Sequence, residues 1–256
     1  MEAIPSPDHN EGAPRKVVAL GEDFPSSFEV SEHQHRRSQF LYASRGVMVV
    51  STPDGAWVAP SERAVWIPGG IPHAVRMVGT VQTRTVLIEP EACPGRGETC
   101  QVVGVSPLLR QLLFAASEIP VEYDQAGRDG LVMDLLVAEV NRAPLIPLAV
   151  PFPAHAGLAR LCQAFIGHPD IGATTEDWAE RLIMNRRSFT RLFRRETGMS
   201  FGEWKQQACV SIALPRLAAG EAVTVVAYDL GYEGPGNFST MFRRLLGVSP
   251  SHYRFV

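Results

Sequence analysis

Long apolar runs are missing from this sequence. No stretch reaches the roughly 18–20 consecutive apolar residues that a bilayer-spanning helix needs, and no signal-peptide pattern opens it. Cysteine is sparse: Cys93, Cys100, Cys162 and Cys209 have no CxxC spacing, which excludes a zinc-ribbon or disulfide framework. An excess of either charge is lacking too, since 24 Lys+Arg against 27 Asp+Glu leave a formal net charge of -3. These absences predict a cytoplasmic protein with no membrane partner.

The charge that is present is unevenly placed. Residues 1–173 hold 13 Lys+Arg and 19 Asp+Glu, or -6, whereas residues 174–256 hold 11 and 8, or +3. A positive share gathered at one end suits contact with phosphates. That end also carries a helix-turn-helix pattern. Thr174 or Thr175 caps a helix whose inner stripe is Trp178, Ala179 and Leu182. In the tripeptide Ile-Met-Asn that follows, Asn185 caps a second helix with Phe189, Leu192 and Phe193 inward, and Gly198 closes it. Arg186, Arg187, Thr190, Arg191 and Arg194 point outward, the arrangement a major-groove reader needs. The pattern recurs as Thr224–Leu230, a Gly231–Gly234 turn and Pro235–Leu246, with Phe238 and Phe242 as anchors. Ser200–Ala219 reads as one amphipathic helix joining the units.

Several linked motifs resemble the AraC/XylS-type transcription regulators over Leu158 to Arg254. They are Phe-Thr-Arg-Leu-Phe-Arg-Arg-Glu-Thr-Gly (189–198), Leu-Ala-Ala-Gly (217–220), Val-Ala-Tyr-Asp-Leu-Gly-Tyr (226–232), Phe-Ser-Thr-Met-Phe-Arg-Arg (238–244) and Gly-Val-Ser-Pro-Ser-His-Tyr-Arg (247–254). The resemblance implies a bacterial regulator, often a homodimer, that binds double-stranded promoter DNA under control of a small effector. It implies that Arg187, Thr190 and Arg191 meet base edges, while Arg186, Arg194 and Arg195 clamp phosphates. In the second unit the corresponding positions carry Gly236, Asn237 and Thr240, with Arg243 nearby, so that unit positions more than it specifies. Cys209 stands where the family has arginine, and Pro215 interrupts the joining helix near its end.

Upstream, the text changes to β. From Lys16 to Glu89 short apolar runs alternate with turn signals at Pro53-Asp54-Gly55 and Pro68-Gly69-Gly70, which predicts a small β-barrel or jelly roll. Within it lie His33-x-His35, then Gln39 and Gly46, and later Pro68-x-Gly70-x-x-His73. Residues two apart on a strand share a face, so His33 and His35 can aim into one barrel, with Gln39 and His73 completing the cluster. This resembles the two cupin motifs, which imply three histidines and a glutamate around a divalent metal. Gln39 replaces that glutamate, and Glu62 and Met77 replace glycine and asparagine. The set His33, His35, Gln39 and His73 is the candidate metal or effector site; neutral imidazoles are its ligands, so affinity should fall as histidine is protonated.

Ser106–Ser117 and Asp129–Arg142 are amphipathic, with more apolar surface than a small helix needs, including Leu112 and Leu135. The barrel or a second protomer can take it. The sequence thus predicts a two-domain α+β protein: a disordered tail (1–15), a cupin-like barrel (16–100), a helical dimerisation region with a Pro-rich linker (101–150), and an all-α domain with two helix-turn-helix motifs (151–256). A metal-dependent cupin enzyme with an accessory helical domain is the rival. No paired carboxylate or activated nucleophile stands beside the histidines, and Gln39 cannot act as a base.

Overall fold

Alternation of apolar with polar residues produces an antiparallel sheet in the first half of the chain, and helical spacing produces helices in the second. A computed structural model describes residues 12–146 and 148–253. It separates into one unit of Met1–Thr52 with Trp57–Ile146 and another of Pro53–Ala56 with Pro147–Val256.

The first unit is built from β1 (Val17–Phe24), β2 (Glu29–His33), β3 (Ser38–Thr52), β4 (Gly55–Pro60), β5 (Arg63–Ile67), β6 (His73–Ile88) and β7 (Gln101–Gly104), followed by α1 (Pro107–Ser117) and α2 (Arg128–Arg142). The short apolar runs Gln39–Tyr42 and Val47–Ser51 belong to the single long strand β3, and Ala74–Val78 and Val81–Ile88 to the single long strand β6. Each serves both faces of the barrel. The first half of β3 lies between β5 and the second half of β6, which also pairs β1; the second half of β3 pairs the first half of β6, which also pairs β2. Register shifts between Ala43 and Val47 let β3 bend. Gly46 sits in that bend at φ 80, and a Cβ there would lie 2.7 Å from the Thr80 carbonyl, so only glycine fits. Glu62, which replaces a cupin glycine, keeps the left-handed backbone at φ 65.

Three expected boundaries need correction. The sheet does not stop at residue 100, because β7 pairs β5. Residues 144–146 are sheet edge and not linker: Gly104 N–H donates to Pro144 O and Ile146 N–H to Val102 O, both at 2.8 Å. Residues 13–15 of the expected tail are tied down, since Arg37 donates to the carbonyls of Ala13 (2.7 Å) and Arg15 (2.9 Å). Positions 1–11 of that tail, Pro147 of the linker and Arg254 of the last motif lie outside the described residues.

One core joins the sheet to the two helices: Phe40, Tyr42, Trp66 and Val86 from strands meet Leu109, Leu112, Leu113, Met133, Leu136 and Val140. The barrel therefore takes most of the helices' apolar surface, Leu112 included, and leaves Leu131 and Leu135 exposed at 69% and 46%. Buried Arg96 donates to the carbonyls of Val140 and Ala143, satisfying the open end of α2.

The second unit has a short strand β8 (Ala149–Pro151), then α3 (Ala156–Gly167), α4 (Thr175–Arg181), α5 (Arg186–Thr197), α6 (Phe201–Ala218), α7 (Val223–Asp229) and α8 (Pro235–Leu246). Leu148 and Val150 are buried, and Trp204 Nε1 donates to Pro151 O at 2.9 Å, so this unit begins ahead of residue 151. Capping boxes at Thr174/Asp177 and Ser200/Glu203 start α4 and α6. Pro215 lies so near the end of α6 that the helix continues through it to Ala218. Buried Cys209 faces the unit's interior, and burial pushes its thiol up to about 12.

Candidate DNA reader and histidine pocket

Trp178 anchors the first helix-turn-helix. Its ring meets those of Phe165, Phe189, Phe193, Phe201 and Trp204 at centroid distances of 4.6 to 6.4 Å, so α3, α4, α5 and α6 share one aromatic core. That packing fixes the outward face of α5. Asn185 Oδ1 accepts from Ser188 N–H at 2.9 Å, and Gly198 ends the helix in the left-handed conformation at φ 73.

Arg186, Arg187, Thr190, Arg191, Arg194 and Arg195 are all exposed on α5. They are not equally available. Arg186 pairs with Glu176 at 3.2 Å, and Arg195 with Glu196 at 2.9 Å. Thr190 donates its hydroxyl proton to Arg186 O at 2.9 Å, leaving a lone pair and a methyl for an outside contact. Among the described residues no ion pair engages Arg187, Arg191 or Arg194. The unpaired guanidinia are thus two of the expected base readers and one expected phosphate clamp.

The second helix-turn-helix repeats the scheme with less positive charge on its leading edge. Phe238 and Phe242 are fully buried and meet Tyr232 and Tyr253 edge to face. Gly236, Asn237, Thr240 and Arg243 are exposed, whereas exposed Arg244 is held by Gln206 at 2.6 Å.

Sequence reasoning missed Ile183. It sits in the turn between α4 and α5 at φ 55 and is 96% exposed, a β-branched side chain in a backbone region that normally excludes it. The only sequence signal was an isoleucine where a turn residue was expected.

In the barrel, His33, His35 and His73 come together, with one ring nitrogen of each lying within 4.8 Å of the others. Strand alternation is not the cause. β2 ends at His33, opposite His73 of β6, and His35 follows in irregular backbone. The Pro68-Gly69-Gly70 turn docks there: Gly70 N–H donates to His35 O at 2.8 Å, and a Cβ on Gly69 would sit 2.0 Å from Arg36 O. The turn can approach this closely only as glycine, and it delivers His73 to the cluster.

Each imidazole has its Nδ1 on a backbone carbonyl: His33 on Ser31 (2.9 Å), His35 on Arg37 (2.6 Å) and His73 on Ile71 (2.8 Å). A carbonyl only accepts, so Nδ1 carries the proton and the lone pair lies on Nε2. Gln39 Oε1 is 3.2 Å from Nε2 of both His35 and His73, while His33 Nε2 is buried with no partner. Burial lowers the pKa of His73 to about 4, which keeps it neutral. Three lone pairs and an amide oxygen are a donor set that fits a divalent cation, with backbone carbonyls orienting the rings. Beside the cluster a cavity of about 330 Å³ opens into the barrel, with His33 and Gln39 in its wall.

Cys93 is buried, and burial pushes its thiol up to about 11. No described helix is long and apolar enough to cross a membrane.

Comparison with known proteins bears on the reader first. A helix-turn-helix domain family model matches residues 178–255. Among solved structures, ToxT from Vibrio cholerae is 12% identical, with 94% of this chain and 97% of that chain covered at a TM-score of 0.40. RipA of Corynebacterium glutamicum, an HTH-type transcriptional regulator, is 28% identical over 160 residues, which are 62% of this chain and 47% of that protein. The HTH-type transcriptional regulator NimR of Escherichia coli is 30% identical over 245 residues, spanning 96% of this chain and 88% of that protein. With likeness of that extent to a transcriptional regulator, and with two helix-turn-helix units, the chain belongs to the AraC/XylS-type DNA-binding transcription regulators and is not an enzyme.

Proposed function

We propose that the barrel is a sensor in which His33, His35, Gln39 and His73 hold a divalent metal, either as the signal or as the anchor of an organic effector. Its occupancy changes how a cytoplasmic homodimer holds promoter DNA. The observation that carries this reading is the buried, partnerless Nε2 of His33 facing two further imidazole lone pairs. A buried acceptor without a donor is costly, and a cation answers all three at once. A bound ion would supply positive charge and a coordination position; the chain supplies the oriented rings and a chamber beside them.

On the reader side, Arg187, Thr190 and Arg191 read bases, while Arg186, Arg194, Asn237, Thr240 and Arg243 position the duplex. The test is metal content and calorimetric titration of purified full-length protein and of His35→Ala, together with promoter binding measured with and without added metal. A wild type that takes up no ion, and whose DNA binding matches that of His35→Ala in every condition, refutes the sensor reading.

A further inference from the structure

β1 sends every second side chain into the barrel: Leu20, Glu22 and Phe24 line the cavity, and the intervening Gly21 and Asp23 are exposed. Glu22 therefore stands on an inward face between two apolar neighbours, where a carboxylate does nothing for folding and costs free energy unless something answers it. Its register partner on β6 is Thr83, but the Thr83 hydroxyl donates to the backbone oxygen of Glu22 and not to its carboxylate. Among the described residues no ion pair or hydrogen bond engages that carboxylate. Burial alone pushes its pKa above the usual range. Nor is it a further metal ligand, since the group of mutually close ligand atoms holds only the three histidines.

The rest of the wall has a consistent character. Three glutamates, Glu22, Glu29 and Glu32, line the cavity, and no lysine or arginine does. Glu29 lies opposite exposed Arg76 in the β2–β6 register, whereas the register partner of Glu22 is the uncharged Thr83. Phe24 and Phe28 stand with ring centroids 5.1 Å apart, and Met77 lies in the wall where the cupin pattern has asparagine. A chamber with an unanswered carboxylate, aromatic faces and acidic groups favours positive charge on an apolar body and repels anions.

We propose that this cavity binds a small organic cation, its ammonium group on Glu22 and its apolar body against Phe24, Phe28 and Met77. This rests on the sensor reading and specifies the chemical class of the effector. A volume of about 330 Å³ limits it to a compact molecule.

The probes are phenethylamine, phenethyl alcohol and 3-phenylpropionate, which share a body and differ in charge. Each is titrated calorimetrically into full-length protein, with and without one equivalent of zinc. The amine should bind about tenfold or more tighter than the alcohol, and the carboxylate should not bind. Glu22→Gln should remove the preference for the amine and leave the alcohol unchanged within about twofold; Glu22→Asp, which keeps the charge, should retain part of it. The wild-type preference is a result that needs no variant to fold. Carboxylate binding as tight as the amine, in either metal state, overturns the proposal. Failure of all three probes to bind, or an amine affinity unmoved by Glu22→Gln, also overturns it. Zinc uptake lost in His35→Ala alongside no amine preference in the wild type sinks the cation and spares the metal. An amine preference in a wild type that binds no zinc does the reverse.

Discussion

The amide oxygen of Gln39 lies 3.2 Å from Nε2 of His35, a nitrogen whose proton is on the other side of the ring, facing the Arg37 carbonyl. The same oxygen stands at 3.2 Å from Nε2 of His73. With that oxygen inward, all these atoms offer lone pairs to one point. With the amide turned over, its two N–H groups can donate to both nitrogens when no ion is present. Gln39 can thus serve the site in both conditions, whereas a glutamate would add a charge that only an ion can answer. Gln39→Glu should accordingly tighten zinc binding by about tenfold, or ~1.4 kcal/mol. His35→Ala should weaken it by about tenfold or more. Calorimetry on the two variants checks both, and a Gln39→Glu protein that binds zinc no better than wild type would be the contrary result.

Arg191 and Arg194 lie three residues apart on α5 and neither is engaged in an ion pair among the described residues. Arg191→Ala should lose about 1–3 kcal/mol at the specific site and relax the preference at one base position. Arg194→Ala should weaken all sequences alike and flatten the dependence of binding on salt. Band-shift titrations on an operator and a scrambled duplex separate the two. Equal losses of specificity would show that the residues share one role.

Ile183 gains nothing from burial and carries the strain of a left-handed β-branched residue. Ile183→Asn should stabilise the protein by about 0.5–1 kcal/mol, since asparagine tolerates that backbone. Thermal unfolding measures it. If stability falls instead, the exposed side chain makes a contact in solution that outweighs the strain.

For the proposed homodimer, the faces of α1 and α2 must be sorted before they are tested. Leu112 lies in the barrel core, so Leu112→Glu should unfold the first unit and report nothing about assembly. Leu131 and Leu135 are the exposed leucines of α2. A Leu131→Glu, Leu135→Glu protein should keep its circular dichroism and sediment as a monomer, with weaker binding to a two-site operator. A wild type that sediments as a monomer at micromolar concentration removes the basis for this prediction.

Much of the reader was legible without coordinates. Helical spacing, cap residues and glycine stops are local properties, so Trp178, Phe189, Phe193, Asn185 and Gly198 announced α4 and α5, and the outward side chains followed from which positions were apolar. The choice of His33, His35, Gln39 and His73 was likewise readable as spacing, although their convergence comes from the end of β2 and the docking of a glycine turn and not from strand alternation. Pairing between distant segments left little trace. Nothing local in residues 101–104 or 144–146 marked them as sheet, because their hydrogen bonds go to each other and, for 101–104, to β5.

What the sequence determined by itself was the set of local decisions: where helices start and stop, which faces are apolar, and which residue types could meet a metal or a phosphate. Only the tertiary structure decided which apolar face was covered and which polar group went unanswered. Leu112 and Leu135 read alike as amphipathic leucines, yet one is core and the other surface. Glu22 reads as one more acid on an edge strand, and only closure of the barrel turns it inward without a partner. Burial is a property of what the rest of the chain brings alongside, and no window of sequence contains it.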